Sequence, residues 1–139
     1  MASFNASPTS DSGGPIRVLV VDDHPLLREG IAAVLCTQPD MRVQAEATDG
    51  GEAVELYEQH RPDVVLLDLQ PPGMDGISAI QAIRARHPAA RIVVLTTYQG
   101  DVQAVRAFRA GAHGYLLKSM LRRELVGTIR MVDAGGRRV

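Results

Sequence analysis

Short runs of apolar residues alternate with longer amphipathic stretches along the chain from residue 16 onward. The short runs are apolar at successive positions, which is typical of strands that helices cover on both faces of a sheet. The longer stretches repeat apolar residues at helical spacing, as Leu27, Ile31 and Leu35 do on one face. The predicted strands are 16–21, 42–47, 63–68, 91–96 and 114–117, and the predicted helices are 25–37, 50–60, 75–87, 100–110 and 120–134.

Proline, glycine and capping residues mark the ends of the predicted helices. Pro25 suits the first turn of the first helix, and Asp49 with Glu52 resembles a capping box for the second. Pro88 should stop the third helix, and the pair Gly135-Gly136 should close the last. Five repeats of strand and helix predict an α/β fold with a parallel sheet built by right-handed crossovers.

Composition is ordinary for a globular domain and excludes several classes of protein. The chain has 139 residues, 15 basic and 16 acidic, and its net charge of −1 gives no general attraction to nucleic acid or to an anionic membrane. The single cysteine, Cys36, excludes an internal disulfide and is predicted to be a small buried residue. No apolar stretch is long enough for a membrane span and no secretory signal is present, so we expect a cytoplasmic protein.

The two ends of the chain differ in composition from the part between them. Residues 1–15 are rich in serine, glycine and proline and lack periodicity, so a disordered leader or an expression remnant is expected there. One domain should occupy 16–134. Residues 135–139 are expected to begin a linker.

Polar side chains stand at the carboxyl ends of four predicted strands. They are Asp22 and Asp23 after the first, Asp68 at the end of the third, Thr96 at the end of the fourth and Lys118 after the fifth. Because the carboxyl ends of parallel strands meet at one edge of the sheet, these side chains should share a crevice. Taken singly, each is more often a cap, a turn residue or a surface residue, and the same holds for His24. Their common position is what indicates a site.

Three carboxylates in one crevice repel one another, so not all would stay ionised without a counter-charge. Lys118 supplies one positive charge, and a hard dication would supply the rest. Mg²⁺ binds few carboxylates, keeps several waters and accepts phosphate oxygens, which is the arrangement that phosphoryl transfer needs. Asp68 as a nucleophile would form an acyl phosphate.

Four fragments carry a resemblance to the receiver domains of bacterial two-component response regulators of the NarL/LuxR type. They are VLVVDDHPLLREG, VVLLDLQPPGMDG, IVVLTTY and GAHGYLLKS. The resemblance covers about residues 16–134 and implies the flavodoxin-like fold, a (βα)5 three-layer sandwich with strand order 2-1-3-4-5. Pro71 departs from the pattern, because an apolar residue such as methionine usually follows the position of Gln70.

The resemblance also implies a role for each site residue. Asp68 would accept a phosphoryl group from a sensor histidine kinase, and Lys118 would contact that group. Asp23, Asp68 and the carbonyl of Gln70 would bind Mg²⁺ directly, with Asp22 acting through water. Thr96 and Tyr115 would form the switch pair: the threonine moves toward the phosphoryl group and the tyrosine turns inward.

The resemblance further implies a signalling switch that hydrolyses its own acyl phosphate slowly and is not otherwise an enzyme. Such regulators act on transcription through a C-terminal helix-turn-helix domain, and phosphorylation should favour a homodimer. The chain stops at Val139, where a linker would begin, so we interpret it as an excised receiver. DNA binding is then expected only through an output domain that is absent from this chain.

Several alternatives remain at this point. The chain could be a stand-alone single-domain receiver, or a phosphate-independent interaction module that keeps the fold. A phosphatase of the haloacid-dehalogenase type is a third possibility, but the segment Asp68-Leu69-Gln70 lacks the second acid of that class. A flavin-binding protein is disfavoured because no phosphate loop follows the first predicted strand.

Overall fold

The computed structural model describes residues 14–69, 76–97 and 102–137. All ten predicted elements are present, and every strand begins and ends within one residue of its predicted position. The elements are β1 (Ile16–Val21), α1 (Pro25–Cys36), β2 (Met41–Ala47), α2 (Gly50–His60), β3 (Val64–Asp68), α3 (Gly76–Arg86), β4 (Ile92–Thr96), α4 (Val102–Ala110), β5 (Gly114–Leu117) and α5 (Leu121–Arg137), with a 3₁₀ turn at Lys118–Met120.

The five strands form one parallel sheet in the order β2-β1-β3-β4-β5, which confirms the predicted flavodoxin-like topology. The chain runs from β1 outward to β2 and then returns across β1 to β3. The connections that leave β1 and β3 therefore diverge, and a crevice opens beyond the carboxyl ends of these two strands. Val21 pairs with Leu67 in the register, so Asp22 and Asp68 follow at the same level.

Each face of the sheet carries its own apolar core. Leu67 faces a core that includes Tyr57 of α2 and Ile80 of α3. Leu66 faces the opposite core, which includes Leu35 of α1 and Leu125 of α5. Strand β3 is buried along its whole length, as its run of apolar residues predicts.

Helix α2 begins with the capping box that the sequence predicts, except that one of its two hydrogen bonds goes to a neighbouring residue. The carboxylate of Asp49 accepts a hydrogen bond from the amide of Glu52 at 2.8 Å. The carboxylate of Glu52 reaches back to the amide of Thr48, also at 2.8 Å, and not to Asp49 itself. Two backbone amides of the first turn region are thereby satisfied.

Two predictions are wrong, one about the end of α5 and one about the burial of Cys36. Helix α5 does not end at residue 134 but continues through Gly135 and Gly136 to Arg137. A glycine costs a helix only about 1 kcal/mol relative to alanine, so it lowers helical stability without ending the helix. Cys36 is exposed and not buried, because it lies about 100° around the helix from buried Leu35.

None of the helices in the described part of the chain combines the length and the apolar composition that a membrane span requires.

His113 lies at the amino end of β5, at the opposite edge of the sheet from the acidic residues. Its amide donates to the carbonyl of Ile92 at 2.7 Å, and its Nε2 lies 2.8 Å from Nη1 of Arg91. Arginine has no acceptor, so the imidazole must accept this bond in its neutral form. Burial, followed by the charges of Arg91 and Arg84, lowers the pKa of His113 below its ordinary value of 6.5.

The lowered pKa of His113 should make the fold sensitive to acid. The unfolded chain takes up a proton near pH 6.5, whereas the folded chain does so only at lower pH, so stability falls as pH drops through this window. His113→Gln should lose less stability than the wild type between about pH 7.5 and 5.5. Urea denaturation midpoints measure the difference.

His24→Gln is the matched comparison, because the pKa of His24 is shifted in the opposite direction. The hydrogen bond to Asp22 raises it, so protonation of His24 in acid stabilises the folded wild type. This variant should lose more stability than the wild type over the same pH range. Equal losses of stability in the wild type and both variants would contradict the two pKa shifts.

Candidate functional site

Two strand ends place carboxylates at the floor of the crevice. Asp68 is the last residue of β3, and Asp22 directly follows β1; both side chains are buried. The amide of Asp22 donates to the carbonyl of Ala47 at 3.0 Å, so the β1–β2 ladder continues to this residue. Asp23 is the next residue, and its carboxylate is partly exposed toward the crevice mouth.

The structure brings the predicted acidic residues together. Ligand atoms of Asp22, Asp23, His24 and Asp68 all lie within 4.8 Å of one another. Oδ2 of Asp22 is fully buried, and it accepts no hydrogen bond from the described residues. A buried carboxylate oxygen in this state is costly unless a cation faces it. The set of oxygen donors fits a hard dication such as Mg²⁺, with Asp22, Asp23 and Asp68 as the residues able to hold it.

Lys118 points its ammonium group into the same crevice from the 3₁₀ turn after β5. Its Nζ lies 3.3 Å from Oδ2 of Asp68 and 4.0 Å from Oδ2 of Asp22. One ammonium among three carboxylates leaves an excess of negative charge, which favours the uptake of a further cation. Lys118 thus lies beside two of the three carboxylates, at the edge of the sheet where the sequence places it.

His24 contacts two of the carboxylates, and the sequence reasoning missed this contact. Its Nδ1 lies 2.8 Å from Oδ1 of Asp22 and 3.1 Å from Oδ1 of Asp23. The hydrogen bond to Asp22, and then the charges of both aspartates, raise the pKa of His24. His24 occupies the cap position of α1, yet its side chain does not cap the helix. The only signal in the sequence was its place directly after the acidic pair.

Thr96 and Tyr115, the predicted switch pair, lie on neighbouring strands. Thr96 is buried at the end of β4. Tyr115 pairs in register with Val94, two residues before Thr96, so both side chains stand on the same face of the sheet. The ring of Tyr115 is partly exposed and packs edge-to-face on Phe108 of α4, with ring centroids 6.0 Å apart. Tyr115 is thus outside the crevice in this structure.

Gly76 allows helix α3 to begin directly against the site. A Cβ atom at this position would lie 2.8 Å from Cα of Leu69 and 3.1 Å from the carbonyl oxygen of Asp68. Only glycine permits this approach, which fixes the backbone behind Asp68. The predicted metal ligand Gln70, like Pro71, lies outside the described residues.

Comparison with known proteins places this geometry in a family. The response regulator receiver domain matches residues 18–130. YxjL of Bacillus subtilis, an uncharacterized transcriptional regulatory protein, is 44% identical over 120 residues, which are 86% of this chain and 55% of that protein. The nitrate/nitrite response regulator NarL of Escherichia coli K12 is 38% identical over 121 residues, covering 87% of this chain and 56% of that protein. The chain therefore spans about half the length of these curated relatives.

A solved structure gives the same result. The crystal structure of a LuxR-family two-component response regulator from Aurantimonas superposes with a TM-score of 0.83 at 45% identity, covering 88% of this chain and 87% of that one. The resemblance to NarL/LuxR-type regulators is confirmed by these matches. With the fold, the sheet-edge residues and the sequence in agreement, this chain belongs to the family of response regulator receiver domains.

Proposed function

We propose that this chain is a cytoplasmic signalling switch in which Asp68 accepts a phosphoryl group from a phosphohistidine of a sensor histidine kinase. The observation that supports the proposal best is the environment of Asp68. Its buried carboxylate ends a central strand, faces an ammonium at 3.3 Å and belongs to a cluster of three carboxylates. This arrangement suits an anionic ligand on Asp68 together with a divalent cation.

The transfer itself needs few protein groups. A carboxylate oxygen of Asp68 attacks the phosphorus, the P–N bond to the donor histidine breaks, and the imidazole leaves with the electron pair. The product is an acyl phosphate on Asp68, which water later hydrolyses. Lys118 lies close enough to Asp68 to pair with a phosphoryl oxygen. The Asp68 carboxylate is thus a phosphoryl acceptor that is modified and then regenerated by hydrolysis. In this proposal the chain is not an enzyme that acts on a separate substrate.

Mg²⁺ is the cation that we propose for the acidic cluster. Asp23 and Asp68 would bind it directly, Asp22 would act through water, and the carbonyl of Gln70 would complete the protein ligands. When bound, the metal offsets the negative charge that accumulates as the phosphoryl group approaches three carboxylates. The feature that favours such an ion is Oδ2 of Asp22, which is buried and accepts no hydrogen bond from the described residues.

The conformational response would pass through Thr96 and Tyr115. A hydroxyl at the end of β4 can donate to a phosphoryl oxygen only when Asp68 is phosphorylated, so this bond would stabilise a different position of Thr96. Movement of Thr96 would open space on the face of the sheet that Tyr115 shares, and the tyrosine would leave Phe108 and turn inward. The surface of α4 and β5 would change as a result.

The proposed control of transcription and the proposed partners are based on similarity to known response regulators. This chain aligns with 55% of YxjL and 56% of NarL, and the name of YxjL describes a transcriptional regulatory protein. We infer that the receiver controls transcription through an attached DNA-binding domain and that phosphorylation favours a homodimer. A role as a single-domain receiver is the alternative.

Thr96→Ala tests the switch. The variant should still be phosphorylated by acetyl phosphate with Mg²⁺, but most of the change in amide exchange over residues 102–117 should disappear, because the bond made only in the phosphorylated state is lost. Exchange is measured by mass spectrometry before and after phosphorylation.

Thr128→Ala on helix α5 is the matched control, and it should respond as the wild type does. An undiminished response in Thr96→Ala would show that Thr96 merely ends a strand.

A further inference from the structure

Arg28 connects helix α1 to the acidic end of β1. Its amide forms the first-turn bond to the carbonyl of His24, and its side chain turns back along the helix so that Nη1 donates to the carbonyl of Asp22 at 2.6 Å. The side chain is largely buried, with 19% of its surface exposed. Helical side chains lean toward the helix N-terminus, which makes this return contact possible one turn into α1.

The carbonyl that Arg28 holds belongs to the peptide group that joins Asp22 to Asp23. The preceding peptide group is already fixed, because the amide of Asp22 donates to Ala47 of β2 at 3.0 Å. Arg28 fixes the following one. The peptide groups on both sides of Asp22 are thereby held in place, the first by the sheet and the second by the side chain of Arg28.

Arg28 is itself anchored from the other side. Its Nε lies 3.0 Å from Oε1 of Glu46 on strand β2. The guanidinium is planar and rigid, so two bonds in different directions leave it little freedom. Within the described residues, the carboxylate of Glu46, the guanidinium of Arg28 and the carbonyl of Asp22 form one continuous chain of contacts.

We propose that Arg28 is a positioning residue for the metal centre: it holds the Asp22–Asp23 peptide group so that Asp23 reaches the cation directly, and Asp22 through water, in the geometry that Mg²⁺ requires. The proposal rests on the proposed function, since it assumes a divalent ion in the acidic cluster. Mg²⁺ demands nearly ideal octahedral coordination at short distances, so a small rotation of Asp23 would be costly. Groups that orient metal ligands typically contribute a factor of about 10 to 100 in affinity.

The charge of Arg28 and its proposed positioning role predict opposite effects of its removal on Mg²⁺ affinity, which makes the proposal testable. Arg28 is a cation close to the site of another cation. If its charge alone mattered, then removing it would strengthen Mg²⁺ binding. If it positions the ligands, then removing it weakens binding despite the loss of a repulsive charge. Arg28→Lys keeps the charge but cannot make both bonds, so positioning predicts weaker binding there as well.

The experiment is a titration of Mg²⁺ into the folded chain by isothermal calorimetry. We expect the dissociation constant to rise about tenfold in Arg28→Met and to rise also in Arg28→Lys. The control is Arg130→Met: Arg130 also pairs with a carboxylate, that of Asp40 at 2.9 Å, but at the opposite edge of the sheet. Its loss should leave the dissociation constant unchanged. A second readout is the rate of labelling by acetyl phosphate as a function of Mg²⁺ concentration, in which the half-saturating concentration should rise more than the maximal rate falls.

Two results would overturn the proposal. Tighter binding in Arg28→Met with unchanged binding in Arg28→Lys would show an effect of charge only. Unchanged binding in both, with a lower urea midpoint, would show a purely structural role, and Arg28→Lys alone decides the matter should Arg28→Met fail to fold. A wild type that neither binds Mg²⁺ nor accepts a phosphoryl group would instead overturn the proposed function, and this inference with it.

Discussion

Asp68→Asn is expected to take up no phosphoryl group from acetyl phosphate in the presence of Mg²⁺, whereas the wild type gains one. The amide is a poor nucleophile, and the substitution also removes one of the three carboxylates of the acidic cluster. Intact mass spectrometry of the two proteins measures the difference. The effect should be complete rather than partial, because within the described residues no other buried carboxylate lies within 3.5 Å of the Lys118 ammonium.

Asp40→Asn is the matched control for this experiment. Asp40 is paired with Arg130 at the opposite edge of the sheet, away from Lys118. This variant should be labelled like the wild type. Labelling of Asp68→Asn at the wild-type level would remove Asp68 from its proposed role.

Leu66→Ala and Leu67→Ala should each destabilise the fold by about 2–5 kcal/mol, a large share of the roughly 5–15 kcal/mol that is typical of a domain. Both side chains are fully buried in β3, but they face different cores. Each truncation removes apolar contacts and leaves a cavity that close-packed neighbours fill only in part. Urea denaturation measures both losses.

Leu26→Ala is the control, because that side chain on α1 is 82% exposed. It should change the free energy of unfolding by less than about 0.5 kcal/mol. If either Leu66→Ala or Leu67→Ala behaved like this control, the corresponding face of the sheet would not be covered as described.

The strands and the central site residues were predictable from the sequence because their signals are local. A run of apolar residues on both faces identifies β3, and the polar residue that ends it identifies Asp68. The rule that parallel strands share one edge then brings Asp68 together with Asp22 and Lys118, without any knowledge of side-chain conformation. The observed distances of 3.3 Å and 4.0 Å from Lys118 agree with that expectation.

Contacts that depend on side-chain direction could not be predicted in this way. The return of Arg28 to the carbonyl of Asp22 requires the actual path of the chain between β1 and α1. The close approach of Gly76 to Leu69 depends on where α3 begins after a segment with no periodicity. The end of α5 was missed for a different reason: glycine only weakens a helix, so Gly135 and Gly136 are a poor stop signal.

The most direct test of the phosphoacceptor assignment is to locate the modified residue in the wild-type chain. After treatment with acetyl phosphate and Mg²⁺, borohydride reduces an aspartyl phosphate to homoserine, and tandem mass spectrometry of the peptides finds the position. Homoserine in place of Asp68, formed only when Mg²⁺ and the phosphoryl donor are both present, is the expected result. Homoserine at another aspartate, or conversion of Asp68 that does not depend on Mg²⁺, would contradict the proposed function.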